Sequence, residues 1–141
     1  MSFKIVSFSL TVSSKGRTDI VDLTSKVQEI VDRCGLKEGS ALVFVNGSTA
    51  GITTIEYEPG LVKDLKAAFQ RLAPDNMDYE HHKTWGDDNG HSHVRAALLG
   101  PSLVVPFSQG KLALGTWQQV VLVDFDTRPR QRALTVQITG A

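Results

Sequence analysis

The chain has 141 residues, a length typical of one domain. Lysine plus arginine and aspartate plus glutamate each number 15, so the formal net charge is zero and no global field attracts nucleic acid or an anionic membrane. The single cysteine, Cys34, excludes an internal disulfide, and no apolar run approaches the length of a membrane span. These features predict one soluble, cytoplasmic domain over residues 1–141, without a nucleic-acid or membrane partner.

The first part of the chain contains strand patterns separated by a helical one. Residues 3–12 alternate between apolar and polar side chains, which predicts a half-buried strand. A helical spacing begins at Thr24 and places Cys34 on the apolar face of an amphipathic helix. Residues 41–45 are apolar without interruption, as in a strand covered on both faces, and residues 52–55 predict the next strand.

The middle of the chain predicts a second helix and a long connection. Pro59 suits the first helical position, and apolar side chains follow at helical spacing until Pro74 ends the pattern. Residues 74–90 show little periodicity, and such a connection in a compact domain is usually functional or mobile. Residues 94–99 predict a short third helix.

The last part of the chain is dominated by strand patterns. The predicted strands cover residues 102–107, 111–115, 117–125 and 133–139, and a three-residue turn, Ser108-Gln109-Gly110, is predicted to join the first two as a hairpin. Strand runs with two or three interspersed helices, without strict βαβ alternation, indicate an α+β domain. Three arginines, Arg128, Arg130 and Arg132, precede the last predicted strand. They form either an ordinary surface turn or a basic patch that can bind phosphate.

All four histidines lie within thirteen residues, as His81, His82, His91 and His93. Residues two apart point the same way in an extended segment but about 200° apart on a helix, so His91 and His93 share one ion only on non-helical backbone. His82, nine residues before His91, is the third candidate ligand. Three imidazoles with an open position suit catalytic zinc or a related divalent metal.

Two other interpretations of this segment stay open. In one, Asn89 lies near the N-cap of a helix that includes His91 and Arg95. The free backbone N–H groups at such a helix end attract phosphate, and Arg95, one turn beyond His91, can bind it through two hydrogen bonds. In the other, residues 87–89 form a solvated turn and the histidines are its hydrogen-bonded neighbours.

Three further places hold candidate binding groups. The loop with Ser48 and Thr49 follows a strand and has two glycines and two hydroxyls, which suits an anion-binding nest as well as a tight turn. Glu56 is a candidate base or metal ligand, or a solvent-facing strand residue. Trp117, followed by Gln118, is a candidate surface for a flat heteroaromatic ligand, or a core residue with a satisfied N–H.

Several sequence strings closely resemble the YjbQ-like family, also called the secondary thiamine-phosphate synthase family. They extend over nearly the whole chain and comprise Ser48-Thr49-Ala50-Gly51, Glu56, Asp88-Asn89-Gly90-His91-Ser92-His93, Leu99-Gly100-Pro101-Ser102, Pro106, Leu114-Gly115-Thr116-Trp117-Gln118-Gln119, Asp124-Phe125-Asp126 and Arg128. The resemblance implies a single α+β domain, a β-sandwich of mostly antiparallel strands with flanking helices. It also implies a homotrimer with sites near the subunit boundaries and a metal-associated histidine site.

The resemblance further implies a transferase, a thiamine-phosphate synthase that couples an aminopyrimidine diphosphate with a thiazole phosphate. The alternative is a metal-dependent protein that binds a phosphorylated small molecule, or a hydrolase for another substrate. In family members a histidine often precedes the Ser/Thr-Thr-Ala segment, where this chain has Gly47. The predicted site has three sets of residues: His82, His91, His93 and Glu56 as catalytic groups; Ser48, Thr49, Asn89, Arg95, Trp117 and Gln118 for substrate; and His82, His91 and His93 as ligands of zinc or magnesium.

Overall fold

The computed structural model describes residues 2–141, which form eight strands and four helices. The strands are β1 (Lys4–Ser14), β2 (Asp19–Asp22), β3 (Gly39–Val45), β4 (Ala50–Ile55), β5 (Ser102–Ser108), β6 (Lys111–Leu112), β7 (Gln119–Asp124) and β8 (Arg130–Gly140). The helices are α1 (Thr24–Arg33), α2 (Pro59–Leu72), α3 (Glu80–Trp85) and α4 (Gly90–Leu99).

The strands form two antiparallel sheets. The larger sheet has the order β1-β8-β3-β5-β6, and the smaller one has the order β2-β7-β4. Apolar side chains of both sheets and of α1 meet in one core, which includes Val43, Val136, Ile52, Leu122 and Ile30. The fold is therefore a β-sandwich, and the predicted α+β class is confirmed.

A second, smaller core lies on the other side of the three-stranded sheet. Phe69 of α2 and Ala96 of α4 pack there against Val121, Val123 and the neighbouring Phe125. The rings of Phe69 and Phe125 meet edge to face with centroids 4.7 Å apart. Because both faces of β7 are covered, its side chains from Val120 onward are buried without alternation, and Val120–Val123 form a continuous apolar run.

Several elements differ from their predicted bounds. Residues 80–85 form α3, which lies in the segment 74–90 that showed little periodicity. No apolar period marks this helix because it buries none of its side chains. Helix α4 begins at Gly90, four residues before the predicted Val94. The strand β2 was not predicted. Cys34 packs against the larger core, as its helical position predicted.

The turn between β5 and β6 has two central residues. Gln109 and Gly110 have φ values of 51° and 75°, and Ser108 pairs with Lys111. Positive φ at both central positions is typical of the type I′ turns that fit the twist of a hairpin. The hairpin lies where it was predicted, but its turn has two residues instead of three because Ser108 belongs to β5, and its second strand is shorter than expected.

The outer face of the larger sheet, which we call the uncharged face, has no Lys, Arg, Asp or Glu side chain across four strands. Strand β3 contributes Leu42 and Phe44 to it, so the expectation that residues 41–45 are covered on both faces is not met within one chain. In register from strand to strand, the face comprises Ile5, Ser7, Ser9, Thr11, Ala133, Thr135, Gln137, Thr139, Ser40, Leu42, Phe44, Ser102, Val104 and Pro106. None of these residues is buried.

Within residues 2–141, no helix combines the length and apolar content needed to cross a membrane.

Candidate functional site

The histidine segment forms the first turn of α4. Asn89 occupies the N-cap position, and the backbone N–H of His93 donates to its carbonyl at 3.2 Å. A Cβ on Gly90 would come 2.5 Å from the Cβ of Tyr79, so this close approach requires glycine. Since His91 and His93 both lie on helical backbone, their side chains point about 200° apart. The condition under which these two residues share one ion is not met.

A cavity of about 250 Å³ lies beside the start of α4, and we call it the acidic cavity. Four carboxylates and two imidazoles face it. Its lining consists of Asp75, Asn76, Met77, Asp78, Tyr79, His82, Asp87, Asp88, Gly90 and His91. The chemistry of this lining favours a cation over an anion.

His91 is the buried imidazole of the acidic cavity, with 8% of its surface exposed. Burial, and secondly the positive charge of Arg95, lowers its pKa below the usual 6.5. Within residues 2–141, ring hydrogen bonds are made by His81 and His82 but not by His91. His91 is therefore neutral near pH 7 and has an uncommitted lone pair.

His82 reaches the same cavity from α3. Its Nδ1 lies 2.9 Å from the backbone oxygen of Asp87 and 3.1 Å from Oδ1 of Asp88. The contact with the Asp87 carbonyl, and then the charge of Asp88, raises the pKa of His82. The side chains of His82 and Asp88 are 47% and 90% exposed, so both can change rotamer without disturbing a core.

His93 lines a different cavity, of about 360 Å³, which we call the His93 cavity. Its ring centroid lies 4.4 Å from that of His81, and His81 Nε2 lies 3.1 Å from Oδ1 of Asn89. Burial and the neighbouring His81 lower the pKa of His93. The two helices thus each contribute one histidine to the acidic cavity and one to the His81–His93 pair.

Arg95 is a structural residue of the α4 side of the fold. It is 5% exposed and donates to the carbonyl of Ala73 at 2.9 Å, to Oγ1 of Thr18 at 2.9 Å and to Oε1 of Gln70 at 2.6 Å. Burial lowers its pKa. It also lines a cavity of about 470 Å³ with Arg17, Asp75, Asp88, His91 and Thr127. The three hydrogen bonds leave Arg95 little freedom to act as the predicted two-point phosphate clamp.

Thr49 belongs to a buried ionic cluster rather than to an open loop. Its hydroxyl accepts from Nη2 of Arg132 at 2.6 Å and donates to Oδ2 of Asp126 at 3.3 Å. Arg132 binds both oxygens of the fully buried Asp124, at 2.7 Å and 2.8 Å. Arg130 binds Asp126 at 2.7 Å through Nε and through Nη2. Ser48, by contrast, is exposed and lines the His93 cavity.

This ionic cluster was missed as a unit by the sequence analysis. Burial alone would raise the pKa of Asp126, but the hydrogen bonds from the Thr127 N–H and from Arg130 outweigh burial and lower it. A signal was present, because Asp124 and Asp126 and then Arg130 and Arg132 each occur two residues apart. At strand spacing, such pairs point to the same side of the sheet.

Glu56, Trp117 and Gln118 lie at the opposite end of β4 from Ser48. Ala50 pairs with Asp124 and Ile55 pairs with Gln119, so the two ends of β4 are about 17 Å apart. Glu56 is exposed, and Trp117 is 73% exposed. Gln118 donates to Oγ1 of Thr54 and lines a cavity of about 450 Å³ beside α1. Within one chain, these three residues do not join the histidines.

The three histidines predicted to bind a metal ion do not come together in the structure. In the part of the chain that the structure describes, no group of three or more His, Cys, Asp or Glu side chains is arranged to hold a metal ion. His82 and His91 share the acidic cavity, whereas His93 does not line it. The donor chemistry of the acidic cavity nevertheless fits a divalent ion, since imidazole and carboxylate are its ordinary protein ligands.

Comparison with known proteins gives the family. The family described as UPF0047 protein YjbQ-like matches residues 8–141. The chain belongs to this family. A UPF0047 protein of Archaeoglobus fulgidus is 37% identical over 128 residues, which are 91% of this chain and 97% of the relative. A UPF0047 protein of Mycobacterium tuberculosis is 38% identical over 119 residues, which are 84% of this chain and 89% of the relative.

Solved structures of similar proteins share the fold. A crystal structure from Sulfolobus solfataricus, described as a YbjQ-like protein of unknown function, has a TM-score of 0.93 and 36% identity, and the match covers 99% of this chain and 100% of that chain. A hypothetical protein of Aeropyrum pernix has a TM-score of 0.90 and 31% identity, with 96% and 99% covered. The predicted family and the predicted sandwich are both confirmed.

The predicted activity is corrected by the same findings. The matched UPF0047 proteins carry family descriptions without an activity, and the Sulfolobus protein is described as being of unknown function. The prediction of a thiamine-phosphate synthase is therefore wrong as a conclusion from this resemblance, and these descriptions give no support to its alternative of a phosphate-ligand protein or hydrolase. Membership in UPF0047 supports the fold and the family, and it supports no reaction.

Proposed function

We propose that the chain binds one divalent metal ion in the acidic cavity, with His82 and His91 as nitrogen ligands. The observation that carries this proposal is His91, a nearly buried imidazole without a hydrogen bond that faces a cavity with a second imidazole and four carboxylates. Because no buried side-chain nitrogen or oxygen in the described part of the chain lacks a partner, the unbonded ring nitrogen of His91 is open to the solvent of this cavity, where its lone pair is available to an ion.

The ligand set favours zinc over magnesium. Imidazole suits zinc and other late first-row ions, whereas magnesium prefers oxygen ligands and retains several waters. The lowered pKa of His91 helps, because a histidine ligand must be neutral. Oxygen ligands would come from Asp87 or Asp88, whose side chains are 53% and 90% exposed and can rotate toward the ion. A zinc ion held there would supply a Lewis acid.

Helices α3 and α4 allow a matched experiment, because each carries one histidine that lines the acidic cavity and one that belongs to the His81–His93 pair. Metal-stripped protein would be titrated with zinc chloride and with magnesium chloride by calorimetry. We expect about one zinc per chain, binding weakened at least about ten-fold in His91→Ala and in His82→Ala, and little change in His93→Ala. Absence of zinc binding by the unaltered chain would refute the proposal. An equal loss in His93→Ala and His91→Ala would refute this choice of ligands.

We also propose that the uncharged face is the contact between subunits of a homotrimer. Four strands expose side chains without one charge, although 21% of the residues in the chain are charged. Ile5 and Val104 are 66% and 60% exposed on it, and Phe44 lies between their strands. An extended face without charges and with exposed apolar side chains is typical of a protein interface. In a closed ring of three subunits, each subunit would bury one part of this face against a different part of its neighbour's surface.

Light scattering after size exclusion tests the homotrimer. The unaltered chain is expected at three times 15.4 kDa. Val104→Lys places a charge on β5, an outer strand of the four that form the face, and should lower the mass toward that of one chain. Leu98→Lys is the control, because Leu98 is 62% exposed on α4, away from this face. A monomeric unaltered chain, or an intact trimer with Val104→Lys, would contradict the proposal.

A further inference from the structure

We infer that Gly47, Ser48 and the outer nitrogen of Arg132 form a binding site for a small oxyanion, separate from the acidic cavity. Arg132 is 7% exposed and is fixed on two sides. Its Nε and Nη2 donate to Asp124, and Nη2 also donates to Thr49. Within residues 2–141, Nη1 donates to no protein atom, and no buried side-chain nitrogen or oxygen lacks a partner, so Nη1 reaches solvent.

Gly47 keeps this nitrogen accessible. A Cβ at position 47 would come 2.9 Å from Nη1 of Arg132, and the next nearest atom would be Cζ of the same side chain at 4.0 Å. The φ of Gly47 is +118°, a conformation that disfavours any other residue. Both the backbone conformation and the space therefore require glycine here, and its missing side chain exposes the edge of a fixed guanidinium.

The loop also carries uncommitted donors at Gly47, which adjoins Nη1, and at the next residue, Ser48. The N–H groups of Gly47 and Ser48 and the hydroxyl of Ser48 make no hydrogen bond within residues 2–141, and both residues are exposed. Successive free N–H groups together with a guanidinium are the usual protein partners of a phosphate or carboxylate group. Because Nε and Nη2 are held by Asp124, Nη1 has a fixed position and little side-chain entropy is lost on binding.

The surroundings favour an anion rather than a cation. Gly47 and Ser48 also line the His93 cavity, together with His93 and four small apolar residues, and no carboxylate lines it. Asp124 and Asp126, the nearest acids of the ionic cluster, are held by Arg132 and Arg130. The acidic cavity has the opposite character, with four carboxylates. The same chain thus offers a cation and an oxyanion separate places.

The test uses inorganic phosphate and the full chain without metal. Phosphate would be titrated at constant ionic strength, and the signals of the Gly47 and Ser48 amides and of Arg132 Nε would be followed by ¹H–¹⁵N spectroscopy. We expect saturable shifts at these three groups. Gly47→Ala should weaken binding at least about ten-fold, and Ser48→Ala, which leaves the backbone unchanged, about three- to ten-fold.

Gly35→Ala is the control for strain, because Gly35 also has a positive φ, of +78°, but a Cβ there would meet nothing within 4 Å. It should bind phosphate like the unaltered chain. Shifts confined to Arg17 and Arg95 would overturn the inference, as would unchanged binding in both Gly47→Ala and Ser48→Ala. The metal-free design keeps this result independent of zinc binding at His82 and His91.

Discussion

The pair of Asp124 and Arg132 gives the sharpest prediction for the stability of the fold. We expect Asp124→Asn to lower the free energy of unfolding by about 3 kcal/mol. Asp124 has no exposed surface, and its two oxygens accept hydrogen bonds from Arg132 at 2.7 Å and 2.8 Å. The substitution preserves the shape of the side chain but leaves a guanidinium that is only 7% exposed without its counter-charge.

The magnitude follows from what remains beside Arg132. Removal of one partner from a buried ion pair costs about 3–5 kcal/mol, because the other charge stays buried. Asp126 lies 3.9 Å from Nη2 of Arg132 and compensates part of that charge, so the lower end of this range applies. Asp124→Asn combined with Arg132→Met removes both charges. We expect the double variant to be more stable than the sum of the two single effects by at least about 1 kcal/mol.

Urea denaturation followed by far-UV circular dichroism is the appropriate assay. Trp85 and Trp117 are 74% and 73% exposed, so tryptophan fluorescence would report the cores poorly. Asp64→Asn, on the exposed side of α2, is the control and should change stability by less than about 0.5 kcal/mol. A loss below about 1 kcal/mol in Asp124→Asn, or strict additivity in the double variant, would refute the reasoning.

Two further predictions concern α4. Burial lowers the folded-state pKa of His91 below 6.5, so the unfolded chain takes up a proton more readily and the free energy of unfolding should fall as the pH decreases from 7 to 5. Urea titrations at several pH values in this range should show that the free energy of unfolding depends less steeply on pH in His91→Gln, but not in the exposed His82→Gln. The same pH dependence in His91→Gln and in the unaltered chain would exclude His91 as the cause. A Cβ on Gly51 would come 2.8 Å from the Gly100 carbonyl, so Gly51→Ala should cost about 1–3 kcal/mol by thermal denaturation. Gly115→Ala, where the nearest atom is 3.6 Å away, should be tolerated, and a similar melting temperature for both variants would count against this contact.

Elements with a strong local period could be predicted from the sequence. Helix α2 begins at Pro59 and ends at Leu72, as its apolar spacing and the following proline indicate. The buried run Val120–Val123 and the turn at Gly110 were also found where their residue types require them. In each case the deciding physical property lies within the segment itself.

Elements without an apolar face could not be found in this way. Helix α3 buries no side chain, and its hydrogen bonds are not encoded in any spacing of apolar residues. The first turn of α4 contains Gly90 and polar residues. Gly90 packs against the side chain of Tyr79, and the hydroxyl of Ser92 donates a hydrogen bond to the carbonyl of Phe125. Such contacts join distant parts of the chain, so local patterns do not reveal them.

The residue at which α4 begins also determines how the four histidines are arranged. Four histidines within thirteen residues indicate one site when they are counted along the sequence. Once the helix begins at Gly90, His91 and His93 diverge, and each has a neighbour from α3: His82 across the acidic cavity and His81 in ring contact. The single cluster thus becomes two pairs with different surroundings.

The two histidine pairs also lie in surroundings of different charge, since four carboxylates line the acidic cavity and none lines the His93 cavity. We therefore assign the proposed cation and the proposed oxyanion to different places. A cation near His91 would face carboxylates, whereas an oxyanion at Gly47 would meet the fixed Nη1 of Arg132, and the cavity that Gly47 also lines has no acids. If the helix began after His93, both histidines could point into one place and a single ion would suffice. The position of one helix start therefore determines whether the segment forms one site or two.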